Sequence, residues 1–311
     1  MKIIFFGSGK IGLPSLEFLK KSGHELACVV TQPDRGKGRG LKSAETPIKE
    51  FAQSAGINIF HPENVNSGES LDYLKRINAG ISIVISYGQI LGEELLNLPQ
   101  KLYINAHASL LPKYRGAAPI NWAIVNGDKE TGVTIMKMVR QMDAGPVLLQ
   151  KSLVITPFDT ALTLEDKLSE LAVCALGESL ALIEKNKYTL KEQDASCVTF
   201  APKLQKIDGK IDWRKNANEI DRLIRGLIIW PGAFTYYKGK LLKVYQGEVL
   251  VQEEKVTPLK AGIIIRVGQD GILVGTGSGC LLIKELQLEG KKRMPVKEFI
   301  AGHKISAGES F

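Results

Sequence analysis

Among the 311 residues, Asn105, His107 and Asp143 are those whose types and spacing could most directly do chemistry. Asn105 and His107 stand two apart at the expected carboxyl end of a strand, so their side chains leave the sheet on the same side. Asp143 lies in the QMDAG stretch that follows the apolar alternation of residues 133–138. An amide, an imidazole and a carboxylate that converge at strand ends can stabilise an oxyanion and move a proton, which is the equipment of acyl transfer. No cysteine or GxSxG serine is near enough in sequence to act as a covalent nucleophile, so an amine acceptor would attack directly. The alternative is a hydrogen-bonded core histidine and a turn-forming aspartate, and residue types alone leave the two readings level.

Those residues need a scaffold, and the first half of the chain alternates strand and helix signals. Short apolar runs at 2–7, 25–31, 58–61, 80–86 and 101–106 predict strands, and residues 13–21, 46–55, 119–126 and 163–185 carry helical spacing. That order predicts an α/β fold with a Rossmann-like, mostly parallel sheet covered by helices, whose ligands bind beyond the carboxyl ends of the strands. Residues 109–116 hold proline and glycine, suited to a rigid loop whose backbone can face a small molecule there. Periodicity is lost over 189–206, which reads as a linker between a catalytic domain at 1–188 and a smaller domain at 207–311. In the latter, one helix signal at 216–227 and glycine-punctuated runs at 232–237, 241–245, 262–267, 271–275 and 281–288 predict a C-terminal β-barrel of the OB type.

Composition excludes several classes. With 44% hydrophobic and 24% charged residues the chain is neither disordered, collagenous nor a coiled coil. Its longest apolar stretches are of strand length and it opens on a strand-like run instead of a cleavable signal, so no membrane association and a cytoplasmic location are expected. The four cysteines are scattered without CxxC and the four histidines are unclustered, which argues against a zinc site or disulfides and for buried, inert thiols. The net charge of +8 divides as +2 over 1–188 and +6 over 189–311, suiting a nucleic acid held by the second domain or a merely solvated basic surface.

Two glycine-rich stretches need separate weighing. Gly7, Gly9 and Gly12 form GxGxxG after a strand, and Asp34 follows by 22 residues, which mimics a dinucleotide fingerprint. Asp34, however, stands beyond the expected strand end inside QPDRGKGRG, and a tight turn with no nucleotide explains the glycines, so no NAD is expected. The loop itself carries Arg35, Lys37, Arg39 and Lys42, a set that either orders on a phosphate backbone or forms a solvated surface loop. Lys291, Lys292 and Arg293 are a second phosphate candidate, or a charged hairpin tip.

The run NAHASLLPKYRGAAPINWAIVNGDKETGVTIMKM followed by MDAGPVL closely resembles the 10-formyltetrahydrofolate-dependent formyltransferases. The likeness extends to TQPDRGKGRG, SYGQIL, KIDGKIDW, EIDRLIRGLIIWPGAF and GKKRMPVKEF, in the family's order over most of the chain. Departures are confined to Gly7–Ser8–Gly9, where the family often reads GTP, and to the residues between Arg225 and Trp230. The resemblance implies transfer of a formyl group from 10-formyltetrahydrofolate to the methionine amine of initiator methionyl-tRNA, for translation initiation. It further implies that Asn105 and His107 polarise the formyl oxygen while Asp143 orients His107 and helps remove the amine proton. The folate site maps onto Ser109, Leu110, Leu111 and Pro112, with Tyr87 and Gly88 on the pterin side, and no metal is needed. The basic loop maps onto the one that meets the tRNA acceptor stem, Arg39 matching the functional arginine. A monomer is the expectation. Relatives with a glycinamide ribonucleotide, a sugar nucleotide or water as acceptor share this chemistry, and the basic second domain favours a large polyanion over them. A folate-independent tRNA-binding module and a dehydrogenase are the readings from other classes.

Overall fold

The computed structural model describes residues 1–37, 42–98, 102–250 and 260–311. Arg39 lies outside them, as do the side chains of Arg35, Lys37 and Lys42. The chain divides into two compact units. The first comprises Met1–Gly116, Glu130–Val154 and Glu165–Ala201, and the second Ala117–Lys129, Ile155–Leu164 and Pro202–Phe311. Two segments expected in the first half, 117–129 and 155–164, thus cluster with the second unit.

The first unit contains β1 (Lys2–Gly7), β2 (Glu25–Val30), β3 (Arg35–Lys37), β4 (Lys42–Ala44), β5 (Ile59–Phe60), β6 (Ile81–Ile85), β7 (Leu102–His107), β8 (Arg115–Gly116), β9 (Glu130–Lys137), β10 (Val147–Val154) and β11 (Phe200–Ala201). Helices α1 (Leu13–Lys21), α2 (Pro47–Ser54), α3 (Gly68–Ile77) and α4 (Glu93–Leu96) interleave with the early strands. Seven strands form one sheet in the order β10-β9-β7-β6-β1-β2-β5. The five from β7 to β5 run parallel, while β9 is antiparallel to β7 and β10 to β9. All five residues of β6, ISIVI, are buried, as a parallel strand covered on both faces requires. Thr46 and Ser67 open α2 and α3 by accepting from Lys49 N and Ser70 N, 3.0 and 3.3 Å away.

The GxGxxG turn is tied to the loop after β6, Ser8 N and Gly9 N both donating to Ser86 O at 3.1 Å. A Cβ on Gly9 would lie 2.4 Å from Ser86 Oγ, which is why glycine is needed there. Asp34 and Glu45, the residues that flank the β3–β4 hairpin, both accept from the buried Lys49 ammonium, at 2.7 and 3.1 Å. The bond to Asp34 raises the Lys49 pKa further and keeps it charged.

The segment that reads as a linker is ordered along much of its length: Val147 and Lys191 exchange N–H···O bonds of 2.8 Å, and β11 pairs with β8. Cys28 and Cys280 are buried, but Cys174 and Cys197 are exposed, correcting the expectation of four buried thiols. Helical and turn positions there face outward, and spacing alone does not say which face a lone cysteine occupies.

The second unit joins α5 (Pro119–Asn126) to α7 (Ala217–Gly226); between them in sequence lies α6 (Ala161–Glu184). Asn121 Nδ2 donates to Gly226 O at 2.8 Å and Trp122 Nε1 to Pro202 O at 2.9 Å. Asn216 and Glu219 cap α7 reciprocally, each side chain accepting from the other's backbone N–H. Strands β12 (Ala233–Tyr237), β13 (Lys240–Leu250), β14 (Ile264–Gly268), β15 (Gly271–Gly275), β16 (Cys280–Leu288) and β17 (Met294–Pro295) form an antiparallel sheet, ordered β12-β13-β16-β15-β14 with β17 on β16. Ile220 and Ile224 of α7 and Phe299 of α8 (Val296–Gly302) close its core over Val244, Ile272 and Leu281. Among the described residues no helix is long and apolar enough to cross a membrane, and no group of three or more His, Cys, Asp or Glu could hold a metal ion.

One titration in this unit is testable. Tyr237 Oη donates to Glu309 Oε2 at 2.6 Å, Lys238 Nζ lies 3.0 Å from Oε1, and Ser306 N adds a third contact, together holding the Glu309 carboxyl down at about 2. Because the folded value lies below the unfolded one of about 4.3, the stability gained is complete above that pH and lost as pH falls toward the folded value. A carbon-detected NMR titration should find Glu309 ionised at pH 3, and Glu309→Gln should flatten this part of the acid unfolding curve. A midpoint near 4 would remove the assignment.

Candidate active site

At the carboxyl end of β7, Asn105 and His107 do share one side of the strand, between β6 (Val84 beside Asn105) and β9 (Thr134 beside His107). His107 is 7% exposed and its Nε2–H donates to Tyr114 O at 2.9 Å. A carbonyl only accepts, so Nε2 carries a proton and Nδ1 is the ring nitrogen left to face the site. That atom faces Asp143 Oδ2 at 3.6 Å. The Asp143 carboxylate also accepts from Gly116 N at 2.8 Å and lies 3.5 Å from Asn105 Nδ2. The three residues expected to act together are therefore within reach of one another.

Asp143 is presented by the turn between β9 and β10, a hairpin at the sheet edge of which the residues show only the alternation of β9. Its φ of 52° is left-handed, a conformation that aspartate tolerates better than most side chains. A donor amide, an imidazole that can carry a proton at Nδ1 and a carboxylate beside it can polarise a carbonyl oxygen and accept a proton in one place.

The loop after β7 is held by β9 and β10. Ser109 Oγ donates to Lys113 O at 2.6 Å, and Thr134 Oγ1 donates to Ser109 O at 2.6 Å while accepting from Leu111 N at 3.0 Å. Gln150 Nε2 donates to Leu111 O at 2.7 Å. Ser109 and Leu111 consequently turn their side chains inward, and Leu110 and Pro112 are half-buried. Tyr87 is also in the core, edge-on to Phe6 with centroids 5.5 Å apart, and burial pushes its phenol well above the ordinary range. It presents its backbone, its carbonyl accepting from Ser8 Oγ and Gln32 Nε2. Gly88 is exposed with φ 90°. Thr134, Gln150, Tyr114 and Gly116 are the supports that sequence reasoning missed; a threonine within the apolar β9 run was the one available signal.

The other basic candidate lies in the second unit. Lys291 and Lys292 are exposed, whereas Arg293 pairs with Glu285 and stacks over Tyr245, 4.3 Å from the ring centroid. Its charge is thus already partnered, whereas neither lysine forms an ion pair among the described residues.

Family profiles cover both halves of the chain: Formyl transferase matches residues 1–180, and Formyl transferase, C-terminal domain, matches 203–304. The methionyl-tRNA formyltransferase of Geobacter sulfurreducens is 44% identical over 308 residues, covering 99% of this chain and 96% of that protein. That of Acetivibrio thermocellus is 44% identical over 310 residues, covering 99% of each. In fold, the chain is similar to a Helicobacter canadensis N-formyltransferase solved with folinic acid and dTDP-3-aminofucose, at TM-score 0.70 and 20% identity over 91% of this chain and 98% of that one. HypX from Aquifex aeolicus, solved with tetrahydrofolic acid, gives TM-score 0.65 and 16% identity over 97% of this chain and 47% of that one. The sequence relationship to the two curated proteins runs the length of both partners, and the chain belongs to the methionyl-tRNA formyltransferase family.

Proposed function

We propose that the chain transfers the formyl group of 10-formyltetrahydrofolate to the amino group of initiator methionyl-tRNA, with Asn105, His107 and Asp143 performing the transfer. The observation that carries the reading is the approach of His107 Nδ1 to Asp143 Oδ2 beside the Asn105 amide. The formyl oxygen is received by Asn105 Nδ2 and His107 Nδ1–H. As the methionine nitrogen bonds to the formyl carbon, charge grows on that oxygen and both donors strengthen. Asp143 accepts the proton that the amine loses, and a proton returns to N10 as its bond to the formyl carbon breaks.

On the folate side, the braced loop carrying Ser109, Leu110, Leu111 and Pro112 and the exposed Gly88 offer backbone groups. Ile90, Val139 and Met142 are exposed apolar side chains on loops tied by the Arg140–Glu93 pair, a surface that aromatic rings can cover. The two neighbours of this fold solved with folates are consistent with such use. Arg35, Lys37, Arg39 and Lys42 of the basic stretch, with Lys291 and Lys292, supply cations for the tRNA backbone, in a monomeric cytoplasmic enzyme whose domain at 207–311 holds the nucleic acid. No step requires NAD or a metal.

Formyl transfer from 10-formyltetrahydrofolate should be measured with charged initiator tRNA, uncharged tRNA and free methionine in parallel. Formylation of the charged tRNA alone is expected. Folate turnover without tRNA formylation would keep the chemistry and overturn the acceptor.

A further inference from the structure

We infer that Gln193, in the stretch that reads as a linker, is a positioning residue of the transfer site: its amide holds the turn that presents Asp143 to His107. This rests on the reading that Asp143 and His107 act together. Gln193 Nε2 donates to Asp143 O at 2.8 Å and to Gly145 O at 2.7 Å. Its Oε1 accepts from Arg115 Nε at 3.0 Å and Nη2 at 2.7 Å. Chemistry settles the amide's orientation, because a guanidinium only donates and carbonyls only accept; a flipped amide would set donors against donors. Both N–H groups and both lone pairs are used. Glutamate lacks the donors and lysine the acceptor, so among side chains of this reach glutamine suits both neighbours.

Asp143 is thereby gripped twice from one short strand. Gly116 N binds its carboxylate at 2.8 Å, and Arg115, the preceding residue, orients the amide that binds its carbonyl. The second grip has something to resist: with φ at 52°, Asp143 holds a backbone conformation that persists where surrounding contacts over-determine it. Gln193 is itself anchored on both sides, by the Lys191–Val147 bond pair and by the β11–β8 ladder. Its bond to Asp143 is to the backbone carbonyl, so it acts through the turn. The loop at 109–113 has its own supports, Thr134 and Gln150, so loss of Gln193 should move the carboxylate and spare the folate loop.

The predicted signature is a split in kinetic constants. Gln193→Glu keeps the acceptor for Arg115 and sets a carboxylate oxygen against two carbonyls, and Gln193→Met keeps length and removes both functions. Each should lower kcat about 10- to 100-fold, the scale of a misplaced catalytic group, with the KM for 10-formyltetrahydrofolate within about twofold. Arg115→Ala should fall in the same direction, and the Arg115/Gln193 double variant should fall little further, because the pair acts as a unit. The second readout needs no acceptor: the NMR chemical shifts of the His107 ring, with Asp143 facing its Nδ1, should move in both variants. Unchanged kcat in a folded variant, equal losses in kcat and in folate affinity, or unmoved His107 ring shifts would overturn the inference. Moved ring shifts in a protein that formylates no acceptor would uphold the positioning role while removing the reading of the reaction. If one variant does not fold, the other still decides.

Discussion

His107→Ala should lower kcat for formyl transfer by roughly three orders of magnitude, the upper end of the range for a lost oxyanion donor. The loss should not multiply with those of Asn105 and Asp143, since the three groups act as a unit. Folding should survive. The side chain is 7% exposed and its loss removes one buried bond to Tyr114 O, which costs about 1 kcal/mol and lowers the melting temperature without abolishing the transition. Asn105→Ala, which removes a half-buried amide 3.5 Å from Asp143 Oδ1, should lose roughly 10²- to 10³-fold in kcat with little change in stability. Single-turnover transfer to charged tRNA and a thermal melt on the same preparations separate chemistry from folding. A folded His107→Ala protein that turns over near the wild-type rate would remove the imidazole from the mechanism.

Gly145→Ala is expected to be the most damaging single methyl in the first unit. A Cβ there would stand 1.8 Å from Lys137 O and 3.0 Å from Lys137 C, both backbone atoms of β9. Neither can yield cheaply, because Lys137 N donates to Pro146 O at 2.9 Å and fixes the start of the hairpin. The strand must part from the turn that carries Asp143, at about 3 kcal/mol on the scale of overpacked cores and with a roughly 100-fold loss of kcat. Gly68→Ala is the control: at the first residue of α3 an added Cβ meets nothing within 4 Å, and the exchange should be neutral or stabilise by about 0.5–1 kcal/mol. Denaturant melts that place both variants beside the wild type would contradict the close approach at Gly145.

Residue patterns carry these features unequally. ISIVI at 81–85 and the period of two at Asn105 and His107 are local signals, and the parallel sheet and the shared face of those two residues follow from them. The meeting of Asp143 with His107 depends on a hairpin at the sheet edge and a left-handed turn, which no spacing between the two residues encodes. Gln193 was passed over because loss of periodicity reports the absence of a buried apolar face and is silent on polar partners. Tyr87, which the resemblance sets on the pterin side, follows the positive φ of Ser86 and packs its ring into the core, an orientation that residue types do not encode. The GxGxxG glycines were ambiguous because the close approach of a phosphate and that of the Ser86 loop make the same demand on residue size.

The discontinuous make-up of the second unit bears on how such genes can be recombined. Its α5 and residues 155–164 come from the first half of the sequence, yet Asn121 and Trp122 bond to Gly226 and Pro202. A chimera that joins one parent's 1–201 to another's 202–311 therefore puts the α5–α7 seam across the parental boundary. Asn121 and Trp122 would then come from one parent, and the backbone carbonyls of Gly226 and Pro202 that accept from them would come from the other. An exchange that keeps the unit whole must carry all three stretches, a crossover pattern that a single breakpoint in the apparent linker cannot produce.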